Sequence, residues 1–231
     1  MRKSPARPGG RLQAGCGQAA SPDPFGPGRC SSQTRRVRPG PSARPLCGFR
    51  FPDHFRLEPC RVLDAGCGNG KSAVWLAERG FHVVGIDLSP TAVEQARSRA
   101  RSRGVAERCE FHEGRFPNAV PSRAPGGPLA PKSFGLITER AFVQHLRRGR
   151  ATEDTLQILA DALEPGGMFY SLMVAAEGES GHWGIVRWSQ QQIRSVFEPH
   201  FEILEMHLDV FTPGEPGSVP AWITVMRRVS G

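Results

Sequence analysis

The sequence has 231 residues, enough for one α/β domain with its own core, and 39% of the residues are hydrophobic. No apolar run approaches the ~18–20 residues of a membrane span, and the basic N-terminus lacks the apolar segment of a secretory signal. The formal net charge of +8 lies in residues 1–58, because residues 59–231 hold 19 basic and 19 acidic residues. We therefore expect a cytoplasmic protein without a membrane segment and without a specific nucleic-acid surface on its folded part.

Residues 1–58 are predicted to be a disordered extension, and residues 59–231 a single folded domain. The first segment contains 9 prolines and 8 glycines, so it has too little apolar surface to offset the entropy of ordering it. Its composition is compatible with a polyanion-binding arm, an organellar address or an extension without function.

The cysteines argue against a metal site. None of them forms a C-x-x-C pair or has zinc-finger spacing, and we expect reduced thiols and no metal. The six are Cys16, Cys30, Cys47, Cys60, Cys67 and Cys109.

From residue 59 onward, strand-like and helix-like segments alternate. The first five come in the order strand 61–64, helix 71–79, strand 82–87, helix 91–103 and strand 107–112. Ser89 is the predicted N-cap of the second helix, with Pro90 at its first position. After a loop rich in proline and glycine, the order is strand 134–138, helix 152–163, turn 164–167, strand 168–174, helix 189–197, strand 201–211 and strand 221–228.

This alternation predicts an α/β fold with a Rossmann-like, doubly wound sheet of seven mostly parallel strands. No helix separates the last two strands, so we expect them to form a C-terminal antiparallel hairpin. In such a sheet, ligands bind beyond the carboxyl ends of the strands, at the switch in strand order.

The loop after the first strand reads DAGCGNG, from Asp64 to Gly70, and its glycine spacing separates three kinds of ligand site. The dinucleotide fingerprint G-x-G-x-x-G fails because its third glycine would fall on Lys71. The phosphate-binding pattern G-x-x-x-x-G-K-[ST] matches only in part, since Ala65 stands where its first glycine is needed. The pattern D-x-G-x-G-x-G fits, and a second acid, Asp87, ends the next strand.

Together, LDAGCGNG and VVGIDLS resemble the class I S-adenosylmethionine-dependent methyltransferases, over about residues 60–231. The resemblance implies S-adenosylmethionine as cofactor, with the loop residues Gly66, Cys67, Gly68, Asn69 and Gly70 beside its amino-acid part. Asp64 would accept hydrogen bonds from N–H groups of the loop, or would bind the methionine ammonium group through a water molecule. Asp87 would accept both ribose hydroxyls, and Leu88 would pack on the adenine.

One position departs from this family. Many members carry Gly-Asp after the third strand, where the acid receives the adenine amino group, whereas this chain has Arg115 and Phe116 after Gly114. Arginine accepts no hydrogen bond, so backbone atoms would hold the adenine beside Phe116 or the Arg115 plane, or the adenine would be held more loosely. The region before the first strand, where members usually carry helices that help to cover the cofactor, is rich in proline and glycine in this chain.

The later segments FGLITERAFVQHL and FYSLMVAAEGESGHWGIVRWSQQQIRSVFEPHFEI look most like the small-molecule group that includes thiol and thiopurine methyltransferases. This resemblance implies in-line methyl transfer to a small-molecule acceptor by a monomer or weak homodimer. An acceptor on protein or nucleic acid, or a catalytically inactive nucleotide-binding domain of the same fold, stays an alternative.

The expected catalytic residues follow the fourth strand. Glu139 and Arg140 would orient an acceptor or bind the cofactor carboxylate, or would form a strand-end ion pair. His145 would be a general base or an ordinary surface or half-buried histidine. The loop carrying His182 and Trp183 would be a lid or a plain surface loop.

Overall fold

The structure of the chain is a computed structural model that describes residues 57–146, 149–177, 186–211 and 219–229. The predicted N-terminal extension lies outside the described residues, except for its last two positions. The predicted lid residues His182 and Trp183 also lie outside them.

Seven strands form one sheet, and their order confirms the predicted Rossmann-like fold. The strands are β1 (Arg61–Ala65), β2 (His82–Asp87), β3 (Cys109–Glu113), β4 (Phe134–Arg140), β5 (Leu163–Val174), β6 (Phe201–Phe211) and β7 (Val219–Arg228). The sheet order is β3-β2-β1-β4-β5-β7-β6, with β1 to β5 parallel. β6 and β7 pair antiparallel as predicted, and β7 lies between β5 and β6, antiparallel to both.

In the part of the chain that the structure describes, four α-helices flank the sheet: α1 (Lys71–Ala77), α2 (Pro90–Ser102), α3 (Arg150–Ala162) and α4 (Gln190–Phe197). The predicted cap of α2 is present, because the Ser89 side chain accepts the N–H of Ala92 and Pro90 is the first helical residue. Ser189 caps α4 in a capping box with Gln192. Local capping chemistry therefore sets where these two helices begin.

The core has two apolar layers, one on each face of the sheet. Helices α1 and α2 pack on one face through side chains such as Val74, Leu76 and Val93. Helices α3 and α4 pack on the other face through side chains such as Leu156 and Phe197. Both faces are covered, which is why the central strands read as nearly continuous apolar runs.

Several predicted boundaries differ from the structure by a few residues, among them the following three. β3 starts at Cys109, because Ala106–Arg108 form a 3-10 turn before it. Residues 164–167, predicted as a turn, lie in the irregular start of β5, where the register with β4 shifts. β4 continues to Arg140, so Glu139 and Arg140 are strand residues that point to opposite faces.

Within the described residues, no helix combines the length and the apolar character needed to cross a membrane. The same part of the chain holds no group of three or more His, Cys, Asp or Glu side chains that would bind a metal ion.

Candidate active site

The candidate site lies at the carboxyl end of β1, where the strand order reverses. From β1 the chain proceeds outward through β2 and β3, and then returns to place β4 on the other side of β1. The loops after β1 and β4 therefore leave the sheet in different directions and open a crevice between them.

The glycine loop after β1 has an unusual backbone. Gly66, Gly68 and Gly70 have φ values of 71°, 52° and 74°, all in the left-handed region that side chains disfavour. The N–H groups of Gly66 and Cys67 both donate to the Ile86 carbonyl oxygen, at 2.8 and 3.1 Å. These bonds tie the loop to β2.

The three glycines face different surroundings. A Cβ atom on Gly66 would lie 2.6 Å from Cβ of Phe142, and one on Gly70 would lie 2.7 Å from Cβ of Ala96. A Cβ atom on Gly68 would meet nothing within 4 Å. Gly66 and Gly70 are thus needed for packing, whereas Gly68 presents bare backbone to open space, where a ligand can approach closely.

Asp87 holds the middle of this loop from the end of β2. Its Oδ2 accepts the backbone N–H of Gly68 at 2.8 Å, and its Oδ1 accepts the N–H of Ser89 at 2.9 Å. Each carboxylate oxygen can accept a further hydrogen bond, so Asp87 can still receive two ligand hydroxyls. The neighbouring Leu88 side chain is 60% exposed, as an apolar platform for a ligand would be.

Asp64 is buried at the end of β1 with one oxygen unused. Its Oδ1 accepts the Thr138 hydroxyl at 3.0 Å, whereas Oδ2 has no hydrogen-bond partner among the described residues. Burial raises the pKa of Asp64 to about 6, although the Thr138 hydroxyl and the Arg140 guanidinium act to lower it. The backbone N–H of Ala73 also acts to lower this pKa. A further donor, such as a water molecule or an ammonium group, would satisfy the oxygen that has no partner.

Arg140 lies on the same side of the sheet as Asp64. Its Nη1 donates to the Ser72 hydroxyl at 2.8 Å, and its guanidinium lies 5.5 Å from the centroid of the Phe211 ring. Its Nε is buried and has no acceptor among the described residues. The pair Asp64 and Arg140 therefore offers an unused acceptor and an unused donor, which matches the two charged ends of an amino acid.

Glu139 points to the opposite face and is completely buried. Its carboxylate accepts the Ser171 hydroxyl and the backbone N–H groups of Phe142 and Val143, the latter two at 3.0 and 3.2 Å. Burial raises its pKa to about 7 in spite of these hydrogen bonds. Glu139 makes no ion pair with Arg140, so the strand-end ion pair considered from the sequence is wrong.

His145 ends a 3-10 turn, Val143–His145, and its side chain is exposed. The preceding Gln144 is buried, and its Oε1 accepts the backbone N–H of Val174 at 2.8 Å, which fixes this turn to the end of β5. Sequence reasoning missed Gln144, because nothing local distinguishes a buried amide from a surface one.

The predicted adenine neighbours have contrasting positions. Arg115 is exposed, and its backbone pairs with Ala119 through two 2.7 Å hydrogen bonds. Phe116 is only 7% exposed, and its ring centroid lies 5.5 Å from that of Phe142. Of the two, only the Arg115 side chain is freely accessible.

The remaining loop residues have structural partners. Cys67 is buried, and burial together with Asp64 and Asp87 raises the pKa of its thiol, which suits a packing residue better than a nucleophile. The Asn69 carbonyl oxygen accepts Nε of Arg99 at 2.9 Å, a link from α2 to the loop that the sequence did not reveal.

Comparison with known proteins identifies relatives of this arrangement. Residues 62–167 match a family model described as a methyltransferase domain. The chain is 33% identical over 124 residues to ribosomal RNA small subunit methyltransferase C of Alcanivorax borkumensis, covering 51% of this chain and 33% of that protein. It is 43% identical over 70 residues to 2-heptyl-1-hydroxyquinolin-4(1H)-one methyltransferase of Mycobacteroides abscessus, covering 26% of this chain and 31% of that protein. The matches thus span about a third of the length of these relatives.

Among solved structures, the fold resembles that of an S-adenosylmethionine-dependent methyltransferase from Methanosarcina mazei. The TM-score is 0.63 at 17% sequence identity, and the likeness covers 77% of this chain and 96% of the other. At that identity, the likeness supports the fold.

Proposed function

We propose that this chain transfers a methyl group to a small molecule. The chain belongs to the class I S-adenosylmethionine-dependent methyltransferases. The observation that carries the proposal is the pair of acids that adjoin the open glycine loop. Asp64 lies where β1 leads into the loop and has a buried oxygen without a hydrogen-bond partner among the described residues, and Asp87 binds the middle of the loop with acceptor capacity left. S-adenosylmethionine has donors that match both, in its ribose hydroxyls and its ammonium group.

These residues fit the cofactor as follows. Asp87 would accept hydrogen bonds from the ribose hydroxyls, and the exposed Leu88 would pack on the adenine beside the exposed Arg115. Asp64 would accept a hydrogen bond from the methionine ammonium group, and Arg140 would donate to the methionine carboxylate. Gly68 allows the cofactor to approach the backbone. When bound, the cofactor supplies an electrophilic methyl group.

The protein's own contribution to the transfer is mainly to hold an acceptor in line with that methyl group. His145 is exposed on the turn after β4 and takes a proton from an acceptor that is not already ionised. Glu139 is a positioning residue, because its carboxylate fixes the backbone of this turn. We expect His145→Gln to lower kcat by about 100-fold for such an acceptor, with unchanged cofactor affinity.

A small acceptor is favoured by the charge balance of the folded part, in which 19 basic and 19 acidic residues cancel. The similarity to a quinolone methyltransferase supports the same acceptor class. We expect the chain to act as a monomer or weak homodimer.

RNA is a second candidate acceptor. The similarity to a ribosomal RNA methyltransferase favours it, and residues 1–58 carry 11 basic and 3 acidic residues. Measuring acceptor affinity at several salt concentrations distinguishes RNA from small-molecule acceptors. Affinity for RNA falls steeply with ionic strength, whereas affinity for a small molecule changes little.

Calorimetric titration of S-adenosylhomocysteine into the full chain tests the proposal. We expect micromolar binding that Asp87→Ala abolishes and that Glu198→Ala, an exposed residue at the end of α4 and away from the site, leaves unchanged. Transfer of a labelled methyl group to small thiols, amines and hydroxyquinolones, compared with transfer to RNA, then identifies the acceptor class. Absence of binding by the full chain would contradict the proposal.

A further inference from the structure

We propose that the Phe142 ring makes the site prefer the positively charged sulfonium of S-adenosylmethionine over the neutral thioether of the product, S-adenosylhomocysteine. The inference rests on the proposed function, because it concerns the same cofactor site. It adds a selection step, in which the site releases the product because the product has lost its charge.

The backbone around Phe142 is held rigidly. The Ala141 N–H donates to the Leu172 carbonyl oxygen at 2.7 Å, and the Phe142 N–H donates to the buried Glu139 carboxylate at 3.0 Å. Ala141 adopts a φ of 60°, which is uncommon for a residue with a side chain. A strained conformation held by buried hydrogen bonds is typical of functional sites, where a neighbouring side chain must be aimed.

Phe142 is aimed at the glycine loop. A Cβ atom built on Gly66 would lie 2.6 Å from the Cβ atom of Phe142, so the Phe142 side chain occupies the space beside this glycine. On its other side, Phe142 packs against Phe116, with ring centroids 5.5 Å apart and planes tilted by 58°. Phe142 as a whole is only partly buried, so these contacts do not enclose the residue completely.

The cofactor's path brings its charged sulfur to this ring. The ribose is assigned to Asp87, and the amino-acid end is assigned to Asp64 and Arg140. The sulfur links these two parts of the cofactor, so it must cross the loop between Asp64 and Gly68. Gly66, the residue against which Phe142 packs, lies in that interval.

An aromatic ring discriminates between the two sulfur states through its quadrupole. The electron-rich face attracts a nearby cation but gains little from a neutral thioether. Asp64 and Asp87 also favour a cation, so some preference should persist without the ring. Replacing the ring by a leucine of similar apolar character removes only the aromatic contribution.

The test is to titrate S-adenosylmethionine and S-adenosylhomocysteine separately into the full chain and into Phe142→Leu. We expect the Kd of S-adenosylhomocysteine divided by the Kd of S-adenosylmethionine to fall by about threefold to tenfold in the variant. The affinity for S-adenosylhomocysteine itself should change less than about twofold, so the loss falls on S-adenosylmethionine. Phe197→Leu removes a core ring on α4, outside the site, and should leave the ratio unchanged.

Each outcome decides between the two proposals. An unchanged ratio in Phe142→Leu, or equal losses for both ligands, would overturn the role of Phe142 and leave the methyltransferase proposal intact. Failure of the unaltered chain to bind S-adenosylhomocysteine would overturn the proposed function, and this inference with it.

Discussion

The carboxylate of Asp87 accepts the backbone N–H of Gly68 at 2.8 Å, which joins the end of β2 to the middle of the glycine loop. The residue assigned to the ribose therefore also shapes the loop that approaches the rest of the cofactor. We therefore expect loop geometry and cofactor affinity to be coupled through this hydrogen bond.

Asp87→Asn tests that coupling. An asparagine has a single acceptor oxygen, so it loses either the Gly68 bond or the Ser89 bond, and its NH₂ group faces the remaining donor. Because hydrogen bonds to a charged group are worth about 1.5–3 kcal/mol, we expect calorimetry to show S-adenosylhomocysteine affinity reduced by about tenfold or more. Glu198→Gln, at an exposed carboxylate at the end of α4, is the matched control. A variant that binds as tightly as the original chain would contradict the assignment.

Gly70→Ala and Gly68→Ala separate packing from ligand approach. Alanine at Gly70 combines a positive φ with a 2.7 Å contact to Ala96, so urea unfolding should show a loss of at least ~2 kcal/mol. Alanine at Gly68 meets no atom and should cost only about 1 kcal/mol, from its φ. Gly68→Ala should nevertheless weaken S-adenosylhomocysteine binding by about tenfold or more, as expected where backbone faces a ligand. Equal effects of both variants on stability would argue against this division.

Asp64→Asn and Arg140→Gln test the recognition of the amino-acid part. Both should weaken S-adenosylhomocysteine binding by about tenfold, because each removes a charged partner from one end of the zwitterion. Neither should alter the affinity for methylthioadenosine, which keeps the adenosine but lacks the amino acid. Weaker binding of both ligands would show that the variants distort the site as a whole.

The buried carboxyl groups predict a pH dependence of stability. Burial raises the pKa of Glu139 from 4.5 to about 7, and that of Asp64 from 3.8 to about 6. Between the unfolded-state and folded-state pKa values, the folded state binds more protons than the unfolded state. The stabilising contribution of each carboxyl group is therefore complete below its unfolded-state pKa and is lost as the pH rises through its folded-state pKa. The Glu139 contribution, on the order of 3 kcal/mol, should disappear mostly between pH ~4.5 and ~7.

Glu139→Gln isolates this contribution, because glutamine keeps the neutral form at every pH. We expect the free energy of unfolding in urea, measured from pH 5 to 8, to fall less steeply in the variant. An identical slope in both proteins would mean that Glu139 does not titrate in this range.

Local chemistry allowed much of the fold to be predicted from sequence. Ser89 caps its helix as predicted, because a cap depends on residues within one turn. The glycine spacing of DAGCGNG distinguished between kinds of ligand site, and the structure shows why glycine is needed there, since all three glycines have positive φ values. Asp87 could be singled out because it ends an apolar strand.

Long-range contacts decided the rest, because burial and pairing depend on residues far apart in the sequence. Glu139 and Arg140 are adjacent in the chain, yet the pleat of β4 directs one into the core on Ser171 and the other toward Asp64 and Ser72. The insertion of β7 between β5 and β6 is likewise invisible locally, since either order pairs the last two strands. Phe142 became a candidate specificity residue only when folding brought it against Gly66, 76 positions earlier in the chain.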